Sequence, residues 1–172
     1  MPLGPADEEA VLAASRALVE APRLRGWKLA TAESCTGGGI AHAVTSIAGS
    51  SDVFDRGFVT YTDASKVEML GVTRAALAAH GAVSEAVARA MAEGALRASQ
   101  ADVAVAVTGI AGPGGATPGK PVGTVCFAWG TRGGSLEART DHFAGDRATV
   151  RAASVRTALH GVIALASGRP SP

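Results

Sequence analysis

The sequence predicts an α/β fold: a three-layer α/β/α domain whose mixed, mainly parallel sheet is flanked by helices. Three observations lead there. Helical apolar patterns alternate with short apolar runs bounded by glycine along most of the chain. One run, A-D-V-A-V-A-V-T-G, is apolar almost throughout, as a strand covered on both faces is. Near the end, T-V-C-F-A-W and S-L-E-A-R-T-D-H-F follow one another with only G-T-R-G-G between them, the pattern of a hairpin.

The elements follow in order. Asp7, Glu8 and Glu9 suit the positive end of a helix dipole, and Val11, Ala14 and Leu18 then recur at helical spacing until Gly26. W-K-L-A-T-A-E is a strand, and the pattern turns helical over 36–47 after three glycines. R-G-F-V-T-Y is the second strand. T-D-A-S-K-V-E-M-L-G is a helix stopped by Gly71. Ser84 caps a longer helix that places Val87, Ala90, Met91, Gly94 and Ala95 on one face. The apolar strand ends in the loop G-I-A-G-P-G-G-A-T-P-G-K-P-V-G. After the hairpin, Asp146 caps a final helix with Val155, Ala158, Leu159 and Val162 on one side.

Composition excludes several classes. Sixteen Lys+Arg against fifteen Asp+Glu leave a net charge of +1, with the basic residues scattered, so neither nucleic acid nor an anionic membrane is an expected partner. Cys35 and Cys126 lie far apart, the four histidines are dispersed, and no metal-ligand spacing appears; neither metal nor cofactor is expected. The N-terminus is acidic where a signal peptide would be basic, and no apolar run approaches a membrane span of about 20 residues. The expectation is a cytoplasmic chain with one domain over residues 6–168 and flexible ends at 1–5 and 169–172.

Three strands end in loops of small and polar residues, S-C-T-G-G-G, Y-T-D-A-S-K and T-G-I-A-G-P-G-G, and ligand sites of open α/β sheets form outside such strand ends. Ser34 stands where a strand yields to a helix. The glycines permit a tight turn, and helix-start amides can hold an anion or a developing oxyanion. Taken alone, Ser34 or Thr36 fits the commoner role of helix cap. A serine needs a base, and Lys66 is the candidate, although a surface lysine is the ordinary reading. Lysine serves as a base only where burial or neighbouring cations lower its pKa. Tyr61, the single tyrosine, could relay a proton or orient the amine. Cys35 fits the core better than it fits a nucleophile. Glu33 bonds nearby backbone or is solvated. Arg147 opposes the dipole of its helix unless it binds an anion such as a ligand phosphate.

Together, T-A-E-S-C-T-G-G, A-G-S-S-D-V-F-D-R-G-F-V-T-Y-T-D-A-S-K, H-G-A-V-S-E, V-T-G-I-A-G-P-G-G-A-T-P-G-K-P-V-G-T-V and F-A-G-D-R resemble the C-terminal domain of the CinA family, across nearly the whole chain. Its amidase form, called PncC, hydrolyses nicotinamide mononucleotide to nicotinic acid mononucleotide and ammonia, without a metal, in pyridine nucleotide salvage. The resemblance implies Ser34 as nucleophile with Tyr61 and Lys66 as the base system. It further implies Thr108 and Arg147 as substrate contacts; the backbone amides of Cys35, Thr36, Gly37 and Gly38 are expected to face the developing oxyanion, and Gly109 to line the substrate beside Thr108. It also implies a small-molecule substrate, a homodimer or higher homo-oligomer, and a stand-alone amidase lacking the large N-terminal domain of longer relatives. Y-T-D stands where Y-S-N is more usual, so Asp63 adds a carboxylate near the base and should raise its pKa. The rival expectation is a non-catalytic nucleotide-binding or regulatory module on the same fold.

Overall fold

The computed structural model describes residues 4–168, so the expected flexible residues 1–3 and 169–172 lie outside the described residues. The elements run α1 (Pro5–Arg25), β1 (Leu29–Glu33), α2 (Gly39–Thr45), a short 3-10 turn (Ser50–Asp52), β2 (Phe54–Val59), α3 (Asp63–Leu70), α4 (Arg74–His80), α5 (Glu85–Arg97), β3 (Val103–Gly109), β4 (Thr124–Thr131), β5 (Leu136–His142) and α6 (Arg147–Ala166). The strand order is β2-β1-β3-β4-β5. β1 pairs in parallel with β2 and β3, whereas β3–β4 and β4–β5 are antiparallel, so the sheet is mixed as expected.

Side-chain size divides the two faces. Along β3, Val103, Val105 and Val107 point toward α2 and α6, where they meet Ile40, Val44, Val155, Leu159 and Val162. Ala104 and Ala106 point the other way, toward α5 and α3, and pack on Val87, Met91 and Leu70. The alanines let α5 lie close to the sheet, while valines and the stacked Phe127–Trp129 pair fill the opposite layer. Trp129 is 1% exposed and donates its indole N–H to the Ala158 carbonyl at 3.0 Å. α1 lies outside that layer, against α6 and α2.

On the α5 side, two helices meet backbone to backbone. A β-carbon at Gly94 would stand 2.1 Å from the Leu70 carbonyl oxygen, so only glycine lets α5 reach the end of α3. The Arg97 guanidinium donates to the same carbonyl at 2.8 Å. Gly71 then ends α3 with φ +67°, as its position in the sequence predicts.

Several elements differ from expectation, and β2 begins two residues earlier than its pattern predicts and ends at Val59, two before Tyr61. α2 starts at Gly39, because residues 34–38 form a run of turns before the helix. α4 was not anticipated: Thr73 caps it, but none of its side chains is buried, so its sequence carries no apolar stripe. On α5, Ala90 is only partly buried, and Ala88, Ala92 and Leu96 join the packed face.

Candidate active site

Parallel pairing of β1 with β2 and β3 brings three strand ends to one edge of the sheet. Glu33 lies opposite Val59 on one side and Val107 on the other. One residue further along stand Ser34, Thr60 and Thr108, side by side and facing the α5 layer. Backbone bonds carry the pairing to this row: Ser34 N–H donates to Val107 O at 2.9 Å and Thr60 N–H to Glu33 O at 2.8 Å.

α3 delivers the lysine. Its start is fixed by a reciprocal cap, in which the Thr62 side chain accepts from the Ser65 amide and the Ser65 side chain from the Thr62 amide. This turns the chain sharply after Tyr61 and aims Lys66 inward. Lys66 is 1% exposed; its Nζ donates to the Thr60 carbonyl at 2.9 Å and lies 3.1 Å from Ser34 Oγ. Burial holds the amine below its ordinary pKa, outweighing the opposing pull of Asp63 and Cys35. The surface position ordinary for a lysine is not the one it takes.

Glu33 holds the serine loop from the other face. It is 0% exposed and accepts three hydrogen bonds: from Thr36 Oγ1 at 2.7 Å, Ile40 N at 3.0 Å and Ala41 N at 2.9 Å. The carboxylate thus occupies the N-terminus of α2, and Thr36 supports it. Gly37 and Gly38 take φ values of +58° and +91°, which a side chain would strain. The Gly37 amide is committed to the Ser34 carbonyl at 3.0 Å. The amides of Thr36 and Gly38 have no main-chain acceptor among the described residues, and the Cys35 amide faces its own thiol. Cys35 is core: 5% exposed, with burial pushing its thiol up to about 12.

The remaining expected residues stand around this pair. Tyr61 is 56% exposed, and its hydroxyl accepts from Arg147 Nη2 at 2.7 Å, so it sits on Arg147 rather than between lysine and serine. Arg147 also donates to the Gly112 carbonyl at 3.0 Å, tying α6 to the β3–β4 loop. A cavity of about 290 Å³ opens beside it, lined by Gly112, Pro113, Val122 and Asp146 among others. Thr108 is 1% exposed and spends its hydroxyl on the Ala82 carbonyl at 2.8 Å, and Gly109 lets β3 press on Thr124 and Val125. Among the described residues, no three His, Cys, Asp or Glu side chains gather to hold a metal ion.

A larger cavity, about 420 Å³, lies between α1, α2 and α6 behind Thr36, on the sheet face away from Lys66. Two residues were not singled out from the sequence. Thr60 is 0% exposed, and its hydroxyl has no hydrogen-bond partner among the described residues. Arg151 donates to the Thr36 carbonyl at 2.8 Å, bracing the serine loop from α6. Its spacing of four from Arg147, on one helical face, was the available signal.

Residues 12–166 match the family described as the CinA C-terminal domain. Over 140 residues the chain is 52% identical to a nicotinamide-nucleotide amidohydrolase PncC of Escherichia coli K12, covering 81% of this chain and 85% of that one. A CinA-like protein of Akkermansia muciniphila is 56% identical over 136 residues, covering 79% of this chain but 33% of that longer protein. The chain therefore spans about a third of such relatives. Among solved structures, the competence/damage inducible protein CihA of Agrobacterium tumefaciens superposes with a TM-score of 0.89 at 49% identity, covering 96% of this chain and 99% of that one. No helix among the described residues is long and apolar enough to cross a membrane. With the family match reaching from α1 to the last turn of α6, the chain belongs to the CinA C-terminal domain family.

Proposed function

We propose that the chain is an amidohydrolase acting on the carboxamide of nicotinamide mononucleotide, releasing ammonia and nicotinic acid mononucleotide through a serine nucleophile. The observation that carries this reading is the buried pair: Lys66 Nζ stands 3.1 Å from Ser34 Oγ, within range for direct proton transfer. The similarity to the Escherichia coli amidohydrolase supplies the substrate class.

In this mechanism Lys66, neutral at the start, takes the Ser34 proton as Oγ attacks the amide carbon. The amides of Cys35, Thr36 and Gly38 stabilise the oxyanion, and one such donor is worth about 2.7–4 kcal/mol. The Gly37 amide, already bonded, takes no part. Collapse of the tetrahedral intermediate breaks the C–N bond, and the Lys66 ammonium returns its proton to the leaving nitrogen as ammonia. Water then attacks the acyl-serine and gives a proton to Lys66, which passes it to the departing Ser34 oxygen. The Tyr61–Arg147 pair sits at the mouth, where the guanidinium suits a phosphate and the phenol can orient the substrate. Thr108 and Gly109 form the wall on the β3 side.

Ser34→Ala should reduce ammonia release by at least about 10³-fold while leaving the melting transition in place. Release persisting in the variant would remove Ser34 as nucleophile. A wild-type protein that binds the nucleotide and releases no ammonia would establish the non-catalytic module instead.

A further inference from the structure

We infer that the Thr60 hydroxyl is the reserve acceptor for Lys66 in its protonated state, a positioning residue that sets the basicity of the amine. The inference rests on the serine–lysine reading above. A buried hydroxyl without a partner is costly, and Thr60, 0% exposed, carries one next to the reacting pair. It belongs to the residue whose carbonyl already holds Nζ at 2.9 Å, and it shares a sheet face with Ser34.

The proton count shows where an acceptor for the amine is missing. Neutral Lys66 has two N–H bonds and one lone pair; the Thr60 carbonyl takes one proton and the Ser34 hydroxyl can donate to the lone pair, which leaves one weakly donating N–H without an acceptor. Once Lys66 takes the serine proton, the ammonium carries three. The Thr60 carbonyl and the Ser34 oxygen account for two, and no third acceptor is bonded to Nζ among the described residues. Rotation about the single Cα–Cβ bond of Thr60 offers its Oγ1 to the third proton. A hydrogen bond from the charged amine is roughly twice as strong as one from the neutral amine, so the contact favours the ammonium over the resting enzyme.

The other charges around the amine do not fill this role. Asp63 acts from α3 itself and is exposed, and Cys35 acts from the β1–α2 loop with its thiol buried in the opposite layer. From α5, packed against α3, Arg97 goes to the Leu70 carbonyl at the far end of the helix. Glu33 lies on the opposite sheet face, with its bonds to Thr36, Ile40 and Ala41. Tyr61 is held by Arg147.

The test is the pH profile of ammonia release from nicotinamide mononucleotide by wild type, Thr60→Val and Thr60→Ser. Without the acceptor the ammonium is less stable. Thr60→Val should therefore move the acid limb down by about one pH unit and lower the plateau kcat about tenfold. Its melting temperature should hold or rise, because a methyl replaces an unpaired buried hydroxyl. Thr60→Ser should restore both limb and plateau. An unmoved limb in Thr60→Val, or a Thr60→Ser as impaired as Thr60→Val, overturns the inference while wild-type turnover keeps the serine–lysine reading intact. A wild type without turnover overturns both. If Thr60→Val loses its melting transition, Thr60→Ala carries the same test.

Discussion

Glu33 and Lys66 approach Ser34 from opposite faces of the sheet, both sealed from solvent, and they are treated in opposite ways. The Glu33 carboxylate has three donors and the end of a helix, the surroundings of a charge meant to stay put. Lys66 has two contacts and a pKa held down by burial, the surroundings of a group meant to give up its proton. The contrast separates a scaffold charge from a working one: what distinguishes them is not burial but how far each ionised form is satisfied.

The sharpest way to break this contrast is to remove each charge and measure turnover and stability together. Lys66→Met should cost at least about 10³-fold in ammonia release yet leave the protein as stable or more so, since an apolar chain replaces a poorly compensated amine. The stability gain should shrink as pH rises toward 10.5, the ordinary lysine value, above which the unfolded lysine is neutral too. A fall in melting temperature of several degrees would make Lys66 a scaffold residue after all. Glu33→Gln should do the reverse. It sets an amide N–H₂ against donors that now meet carboxylate oxygen, and should cost about 2–4 kcal/mol in urea denaturation. A loss below about 0.5 kcal/mol would erase the distinction.

The smallest effect sharpens the comparison. Activity should rise with pH through a lysine pKa below 10.5, because only the neutral amine accepts the serine proton. Asp63 pulls that pKa upward, so Asp63→Asn should move the acid limb down by about 0.3 unit, less in high salt because the carboxylate is exposed. An upward shift would contradict the assignment of Lys66 as base.

Much of this arrangement was legible in the sequence. The strand–helix corner before Lys66 and the alternating V-A-V-A-V run land where their patterns place them, whereas the glycines at 37–39 delay the start of α2 to Gly39. α4 left no trace because an exposed helix has no apolar stripe. The inward direction of Lys66 was not readable either: it depends on the pairing register of β1 with β2, a long-range property of the fold. Tyr61 was expected beside the lysine on sequence proximity, yet its hydroxyl lies on Arg147, 86 residues away. The Thr60 hydroxyl escaped notice because an idle buried donor is a property of packing, and a threonine at a strand end looks like any other.

The notch at Gly94 gives the site a remote point of control. α3 is seated there by contact between main chains, with the Leu70 carbonyl where a side-chain carbon would otherwise be. The lysine one turn back along that helix inherits its reach from this seam. A change as slight as glycine to alanine on α5 would push the Lys66 amine away from the Ser34 hydroxyl without touching either side chain.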